Sequence, residues 1–267
     1  MVPSFHLSRG DALMVSSVTV VKSSRPGTVR SSDDHSSVGP IAARSVSLGA
    51  ADVSKPPVRT TWIYLLRHGA TAANRAVPYR IQGRGSDLDL DELGRCQALR
   101  AAEVLRTIAL EAVYSSPLRR ARQTAAEIAR LHRLEVRVVP ELVEADVGAW
   151  EGLTWEEVEQ RDPDHFAFFL ANPGTVPYLG GESFQDVQAR VLPALNALAT
   201  LHPGGRIAVV AHNVVNRAYL AALLNLPISQ ARELPQANGG INLIRHDGHP
   251  PGRIVTLNAA LHLEGLE

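Results

Sequence analysis

From residue 61 onward, short apolar runs alternate with longer stretches in which apolar residues recur at helical spacing. The short runs have the length of strands and cover residues 62–66, 112–114, 136–139 and 207–211. The helical spacing predicts helices over residues 118–132, 155–161, 184–201 and 214–224. Asp91 is the expected N-cap of a further helix, whose apolar positions are Leu99, Ala102, Val104, Leu105 and Ile108. Strands and helices therefore alternate along this part of the chain.

This alternation predicts an α/β fold. A three-layer sandwich, with a mostly parallel central sheet and helices on both faces, buries such elements well. Two late apolar runs, 241–245 and 253–257, flank the turn residues Gly248-His249-Pro250-Pro251 and predict a hairpin. In sheets of this kind, ligands bind beyond the carboxyl ends of the parallel strands. Residues that directly follow a strand are therefore the first candidates for a site.

Residues 1–60 differ in composition from the rest of the chain. They contain 13 serines and one aromatic residue, Phe5, and show neither helix nor strand periodicity. We interpret them as a disordered tail or as the product of a start codon placed too early. A transit peptide is the alternative, and the acidic residues of the segment oppose it. The catalytic domain is predicted over residues 61–267.

Charge and cysteine content exclude several classes of protein. Lys+Arg and Asp+Glu each number 27, so the formal net charge is zero, and neither nucleic acid nor a membrane is expected as a partner. No apolar run reaches the roughly 18 residues that a membrane span needs. The one cysteine, Cys96, cannot form an internal disulfide, and we expect it to pack inside the first helix. A cytoplasmic location is expected.

Two histidines occupy the strand-end positions where a ligand is expected. His68 follows the first apolar run directly, and His212 follows the run over residues 207–211. A lone histidine is more often structural, but His68 is also flanked by Arg67 and Gly69. Arginine offers a planar, permanently charged donor fork, and glycine lets the backbone approach a ligand closely. The pattern indicates a site for a small anion.

The segment Arg67-His68-Gly69 resembles the signature of the histidine phosphatase superfamily, a group that includes the cofactor-dependent phosphoglycerate mutases. Similar motifs follow in the order that the family has. They are Asn74, Arg80-Ile81-Gln82-Gly83 with Asp87, residues 115–124, Leu142-Val143-Glu144, residues 148–152, Gly180-Gly181-Glu182-Ser183, the region of His212, and Gln236 to Gly240. Ordered motifs of this number are far more specific than the Arg-His-Gly triplet alone. The resemblance implies a phosphoglycerate mutase-like fold.

The resemblance also implies a role for each member of the central set. His68 would be the nucleophile and would carry a covalent phosphoryl group, which water then removes. Arg67, Arg120 and His212 would surround the phosphate oxygens as charge develops. Glu144 would protonate the departing alkoxide and then activate the water.

Some of these assignments have competitors among neighbouring residues. Arg119 adjoins Arg120 at the same predicted helix start, and Arg120 fits the register of the family motif. The acids near this motif are Glu141, Glu144, Asp146 and Glu151, of which only Glu144 fits its register. The implied substrate-binding residues are Asn74, Gln82, Gly83 and Asn213, the last in place of a frequent glycine.

His68, His212 and Glu144 could also be interpreted as a metal site with two histidines and one carboxylate. The adjacent Arg67 would repel a divalent cation. We therefore expect no metal and no other cofactor.

The implied activity is hydrolysis of a phosphomonoester of a small metabolite. The chain ends at Glu267 without a tail that would close the site, and an open site favours hydrolysis over mutase chemistry. The alternatives are phosphoglycerate mutase activity and a catalytically idle phosphate-binding regulator. Aromatic residues between Trp155 and Tyr178 predict either an apolar leaving group or ordinary packing. The oligomeric state stays open, with a homodimer as one candidate.

Overall fold

The computed structural model describes residues 59–266, so nearly all of the tail predicted over residues 1–60 lies outside the described residues. A single six-stranded sheet organises the described part. Its strands are β1 (Thr61–Arg67), β2 (Ala112–Ser115), β3 (Val136–Val138), β4 (Arg206–Ala211), β5 (Ile241–His246) and β6 (Arg253–Ala259). They lie in the order β3-β2-β4-β1-β5-β6.

The sheet is parallel across four strands and antiparallel at one side. β1 pairs in parallel with β4, β4 with β2, and β2 with β3. β5 runs antiparallel to β1 and pairs antiparallel with β6, as the predicted hairpin requires. The predicted α/β fold with a mostly parallel sheet is confirmed.

Seven α-helices connect or flank the strands in the described residues. They are α1 (Ala72–Arg75), α2 (Glu92–Leu105), α3 (Arg119–His132), α4 (Trp155–Arg161), α5 (Pro163–Ala171), α6 (Phe184–Leu201) and α7 (Asn213–Leu223). Short 3-10 turns cover Pro140–Leu142, Gly148–Trp150, Ile228–Glu233 and Leu261–Leu263. Helices α1 and α5 were not predicted from the sequence. One turn of helix leaves no periodicity, and α5 begins at a proline directly after α4.

The core lies on both faces of the sheet. Along β4, Ile207 and Val209 pack with residues of α6 and α7, whereas Ala208 and Val210 pack with residues of α2 and α3. Successive side chains of a strand point to opposite faces, so a central strand with both faces covered must be apolar throughout. This gives the predicted three layers. In the part of the chain that the structure describes, no helix combines the length and apolar character needed to cross a bilayer.

The buried face of α2 differs from the predicted one. Leu99 and Val104 are 46% and 48% exposed, so the prediction was wrong for both. The residues that face the sheet and α3 are instead small, and they are Gly94, Ala98, Ala101 and Ala102, with Leu105 at the end. Small side chains let α2 and the alanine-rich α3 approach closely. Cys96 is exposed as well, which contradicts its expected packing.

Candidate active site

The candidate site lies at the carboxyl ends of the central strands. Arg67 and Ala211 are register partners at the ends of β1 and β4, so His68 and His212 follow on adjacent strands. Both histidines are buried, and their ring centroids lie 5.1 Å apart. The two histidines singled out from the sequence therefore face each other at the edge where ligands bind in parallel sheets.

His68 is held in the tautomer that a nucleophile needs. Its Nδ1 lies 2.7 Å from the carbonyl oxygen of Gly69 and donates to it. Arg120 Nε donates to His68 Nε2 across 3.3 Å, so Nε2 carries the lone pair. Burial, followed by the charges of Arg120 and Arg67, holds the pKa of His68 well below its ordinary 6.5. The ring is therefore neutral at physiological pH.

Two glycines explain how the loop after β1 fits against α2. A side chain at Gly69 would overlap the backbone of Gly94, and a side chain at Gly94 would overlap the carbonyl oxygen of Ala70. Asp91 caps α2 as predicted, because its side chain accepts a hydrogen bond from the amide of Gly94 at 2.7 Å. The Arg-His-Gly segment is thus fixed by direct backbone packing on the first turn of a helix.

Arg120 is the arginine of α3 that reaches the site. It is fully buried, and its Nη1 and Nη2 donate to the carbonyl oxygens of Ser86 and Gly83 at 2.7 and 3.0 Å. Arg119 is exposed and pairs with Asp89 at 3.3 Å. Of the two neighbouring arginines, Arg120 is therefore the one that contacts the site.

His212 is oriented by Ser116, the residue after β2. The Ser116 hydroxyl lies 2.6 Å from His212 Nε2 and itself accepts from the amide of Leu118 at 3.3 Å. The hydroxyl hydrogen is therefore free to go to Nε2, which leaves a hydrogen on Nδ1. Burial, followed by the charge of Arg120, holds the pKa of His212 well below 6.5. His212 is then a neutral donor.

Glu144 is buried against the first turn of α7. Its Oε2 accepts from the amide of Val214 at 3.2 Å, and its Oε1 accepts from the amides of Ala145 and Val215 at 2.9 and 3.4 Å. The competing acids serve elsewhere. Asp146 pairs with Arg84, Glu141 is exposed, and Glu151 accepts from the amides of Gly83 and Gly85.

The expected substrate-binding residues divide into two groups. The amide nitrogen of Gln82 and the amide oxygen of Asn213 are buried and have no partner in residues 59–266. Asn74 and Gly83 are engaged by the protein. Asn74 accepts from Asn238 at 3.2 Å, and the carbonyl oxygen of Gly83 accepts from Arg120. Gly83 therefore positions Arg120.

Three buried donors among the predicted site residues have no acceptor within the described residues. They are Nε of Arg67, Nε2 of Gln82 and Nδ1 of His212. A buried donor without a partner costs about 1–3 kcal/mol, so such atoms are rare in proteins unless a ligand engages them. Donors gathered around a lone-pair nitrogen fit a phosphoryl group, which has three oxygens to accept hydrogen bonds.

The model of the histidine phosphatase superfamily (branch 1) matches residues 63–260. The chain belongs to the histidine phosphatase superfamily. The family predicted from the motifs is thereby confirmed.

Relatives of this histidine phosphatase carry phosphatase names. The chain is 35% identical over 201 residues to phosphoserine phosphatase 1 of Hydrogenobacter thermophilus, covering 75% of this chain and 93% of the relative. It is 38% identical over 188 residues to the metal-independent phosphoserine phosphatase of Arabidopsis thaliana, covering 69% and 76%. The structure of mycobacterial glucosyl-3-phosphoglycerate phosphatase superposes with a TM-score of 0.67 at 32% identity, covering 75% and 100%. The predicted enzyme class, phosphoric monoester hydrolase, is confirmed.

The metal interpretation of the site has no geometric support. Within residues 59–266, no three of the His, Cys, Asp and Glu side chains are grouped so that they could hold a metal ion. In this histidine phosphatase, both carboxylate oxygens of Glu144 accept from backbone amides, and Arg120 donates to the Nε2 of His68. A cation would have to displace these contacts.

The aromatic segment packs mainly on itself. Trp150 is fully buried at its centre, in edge contact with Trp155, Phe166, Phe169 and Tyr178. Of the two interpretations of this segment, ordinary packing accounts for these four residues. Phe168 is 57% exposed and takes no part in the cluster.

Several residues of the site were missed in the sequence. Arg217 and Tyr79, both near Glu144, were not singled out, although Arg217 follows His212 on α7. The late segment was noted and does lie at the site. The carbonyl oxygen of Gln236 accepts from Arg67 Nη1 at 2.6 Å, and Asn238 donates to the carbonyl oxygen of His68 at 3.0 Å.

Proposed function

We propose that this histidine phosphatase hydrolyses phosphomonoesters of small metabolites through a phosphoryl group carried on His68. One observation carries the proposal. The Nε2 of the buried, neutral His68 accepts from Arg120, its ring lies 5.1 Å from that of His212, and Arg67, Gln82 and His212 each carry a buried nitrogen without a protein acceptor. Phosphoryl transfer is catalysed mainly by positioning and by stabilising charge, and this arrangement supplies both.

In the first step, His68 Nε2 attacks phosphorus and the bond from phosphorus to the ester oxygen breaks. Arg67, Arg120 and His212 stabilise the charge that gathers on the three remaining oxygens. Glu144 gives its proton to the departing oxygen, so that the alcohol leaves neutral. The enzyme then holds a phosphoryl group on His68.

In the second step, water attacks phosphorus and the bond from nitrogen to phosphorus breaks. Glu144, now a carboxylate, takes a proton from the attacking water. Inorganic phosphate leaves, and His68 returns to its neutral state with Nδ1 still donating to Gly69. A neutral imidazole is regenerated because burial and two arginines disfavour its protonation.

In this proposal, cationic and neutral hydrogen-bond donors of the chain stabilise the phosphoryl oxygens, and no metal ion is needed. Full activity is therefore expected in a chelator, and loss of activity that zinc or manganese restores would contradict it. A small phosphorylated metabolite is the proposed partner. The single cysteine, Cys96, is free, which suits a reducing, cytoplasmic setting.

The function is tested by phosphate release from p-nitrophenyl phosphate, O-phosphoserine and 3-phosphoglycerate. We expect release by the wild type and a loss of at least about 1,000-fold in His68→Ala, because the nucleophile is removed. His249→Ala, an exposed turn histidine, is the matched control and is expected to match the wild type. Isomerisation of 3-phosphoglycerate without phosphate release would contradict the proposal.

A further inference from the structure

Four arginines are shielded from solvent and lack an acidic partner in residues 59–266. Five arginines in this range are not exposed, and they are Arg67, Arg120, Arg190, Arg217 and Arg232. Arg190 forms an ion pair with Glu182 at 2.8 Å. Arg67 and Arg120 are assigned above to the phosphoryl group. Arg217 and Arg232 remain, and a shielded cation without an anion is unfavourable.

Arg217 is built into the wall of the site on the side of Glu144. It follows Val214 by three residues on α7, and the amide of Val214 holds the Glu144 carboxylate. Residues three apart share a helix face, and their side chains lean toward the helix N-terminus. Arg217 Nε donates to the carbonyl oxygen of Leu234 at 2.8 Å, while its terminal nitrogens have no acceptor in the described residues.

Arg232 lies next to this contact. It belongs to the 3-10 turn Ile228–Glu233, two residues before Leu234, whose carbonyl oxygen anchors Arg217. Tyr178 is close to both arginines, but burial raises its pKa, so its hydroxyl stays protonated and cannot neutralise them. Burial lowers the pKa of Arg217, and the charge of Glu144 opposes that shift. Glu144 and Glu233 are the nearby acids, and neither forms an ion pair with Arg217 or Arg232 in residues 59–266.

The position of Glu144 decides which part of a substrate meets these arginines. The oxygen that leaves must lie beside Glu144, since that residue protonates it. The carbon skeleton attached to this oxygen therefore extends past Glu144 toward Arg217 and Arg232. A carboxylate is an anion that a guanidinium binds with two parallel hydrogen bonds, and it is a common substituent on small phosphorylated alcohols.

Resting on the proposed function, we propose that Arg217 and Arg232 bind a carboxylate on the leaving group. The preferred substrates are then phosphomonoesters of hydroxy acids or hydroxyamino acids with a free carboxylate. The names of two relatives, a phosphoserine phosphatase and a glucosyl-3-phosphoglycerate phosphatase, specify compounds of this chemical class.

The test compares O-phosphoserine with O-phosphoethanolamine, which differ only in the carboxylate. The wild type is expected to favour O-phosphoserine in kcat/KM by at least about tenfold. Arg217→Gln and Arg232→Gln are each expected to lower this ratio by roughly 10- to 100-fold, as for loss of a charge-assisted hydrogen-bonded pair. Arg217→Lys should retain part of the preference for O-phosphoserine. Arg122→Gln, an exposed arginine of α3, is the control and should keep the ratio.

Because the readout is a ratio within one protein, a partly unfolded variant does not imitate the expected result. A wild-type ratio near one, or a ratio unchanged in both glutamine variants, would overturn the carboxylate site. If the wild type hydrolyses none of the phosphomonoesters, the phosphatase proposal fails, and calorimetric binding of the same two compounds still decides the carboxylate site. Preference for O-phosphoserine that is lost in Arg217→Gln would support it; equal affinities would overturn it.

Discussion

His68 and His212 are neutral rings with opposite hydrogen-bonding roles. Nδ1 of His68 is committed to Gly69, which leaves Nε2 as an acceptor. Nε2 of His212 faces the Ser116 hydroxyl, which leaves Nδ1 as a donor. One ring can therefore attack phosphorus while the other stabilises its oxygens, although both are the same residue type on adjacent strands.

Replacing Glu144 by glutamine tests the proton donor. For an alkyl phosphate such as O-phosphoserine, kcat/KM is expected to fall by about 100- to 10,000-fold, because an alkoxide needs a proton to leave. p-Nitrophenyl phosphate should lose much less, because p-nitrophenolate leaves unprotonated. Steady-state rates for both substrates make the comparison, with the exposed Glu141→Gln as control. Equal losses on the two substrates would show that Glu144 does not act as the acid.

The titration of His68 is a second prediction at this scale. Because burial and two arginines lower its pKa, the free enzyme should keep His68 neutral as the pH falls from 8 through 6.5. NMR of the labelled imidazole should show no midpoint in that range. A His68 midpoint at or above pH 6.5 would contradict the electrostatics described for the site.

The sequence was sufficient to single out His68, the proposed nucleophile, because a strand end beside arginine and glycine is a local pattern. The register of the motif also separated Arg120 from Arg119. The tautomers of the two histidines could not be predicted from the sequence, because they depend on contacts with Ser116 and Arg120, which are distant in sequence. Arg217 was missed for a similar reason. An arginine in a helix is usually exposed, and only the fold shows that this one faces Glu144.

Among the elements, the first turn of α2 decides where the loop after β1 lies. Gly94 touches the backbone of Ala70, and Gly69 touches the backbone of Gly94. Neither contact leaves room for a side chain. The position of His68 is therefore coupled to the packing of α2 against the sheet.

Gly94→Ala tests this coupling. At a solvent-exposed helix position, alanine normally stabilises the helix relative to glycine by about 1 kcal/mol. Here the added methyl group meets backbone atoms, so the free energy of unfolding should instead fall by about 1–3 kcal/mol, with a loss of activity. Denaturant unfolding measures the sign. Cys96→Ala, an exposed position in the same helix, should change neither quantity. An increase in stability in Gly94→Ala would refute the close packing.

The elements themselves were largely predictable, but their faces were not. Periodicity located α2, yet its buried side consists of alanines and Gly94 rather than Leu99 and Val104. Apolar character alone does not indicate how closely two helices approach. The close contact of α2 with α3 favours small residues, and that preference is visible only when both helices are placed together.

For the whole molecule, zero net charge conceals a concentration of unpaired cations at one site. The described residues hold Arg67, Arg120, Arg217 and Arg232 shielded and without acidic partners. This arrangement suits a small, multiply charged anion. No total taken over the chain could have indicated it, because the fold, not the composition, gathers these side chains.

Stability should depend on pH through the buried histidines. His68 and His212 have folded-state pKa values well below 6.5, whereas the unfolded chain binds protons there near pH 6.5. The unfolded state thus gains protons first as the pH falls. The contribution of these histidines to the free energy of unfolding is fully present above pH 6.5. It declines below that pH by up to about 1.4 kcal/mol per pH unit for each histidine.

Denaturant unfolding at pH 7.5, 6.5 and 5.5 measures this decline. In a variant with His68→Asn and His212→Asn, the free energy of unfolding should decline less steeply as the pH falls. Part of the decline should remain, because the pKa values of His246 and His262 are also lowered mainly by burial. A stability that is constant or rises as the pH falls to 5.5 would contradict the description of neutral, buried rings.

Trapping the phosphoenzyme tests the central claim most directly. The chain is mixed with p-nitrophenyl phosphate, whose leaving group needs no proton, quenched rapidly in alkaline denaturant to preserve a phosphorus–nitrogen bond, and digested for mass spectrometry. We predict one phosphoryl group, on His68, which accumulates in Glu144→Gln because its hydrolysis is slowed, and which is absent from His68→Ala. A phosphoryl group on another residue, or undiminished turnover by His68→Ala, would contradict the account.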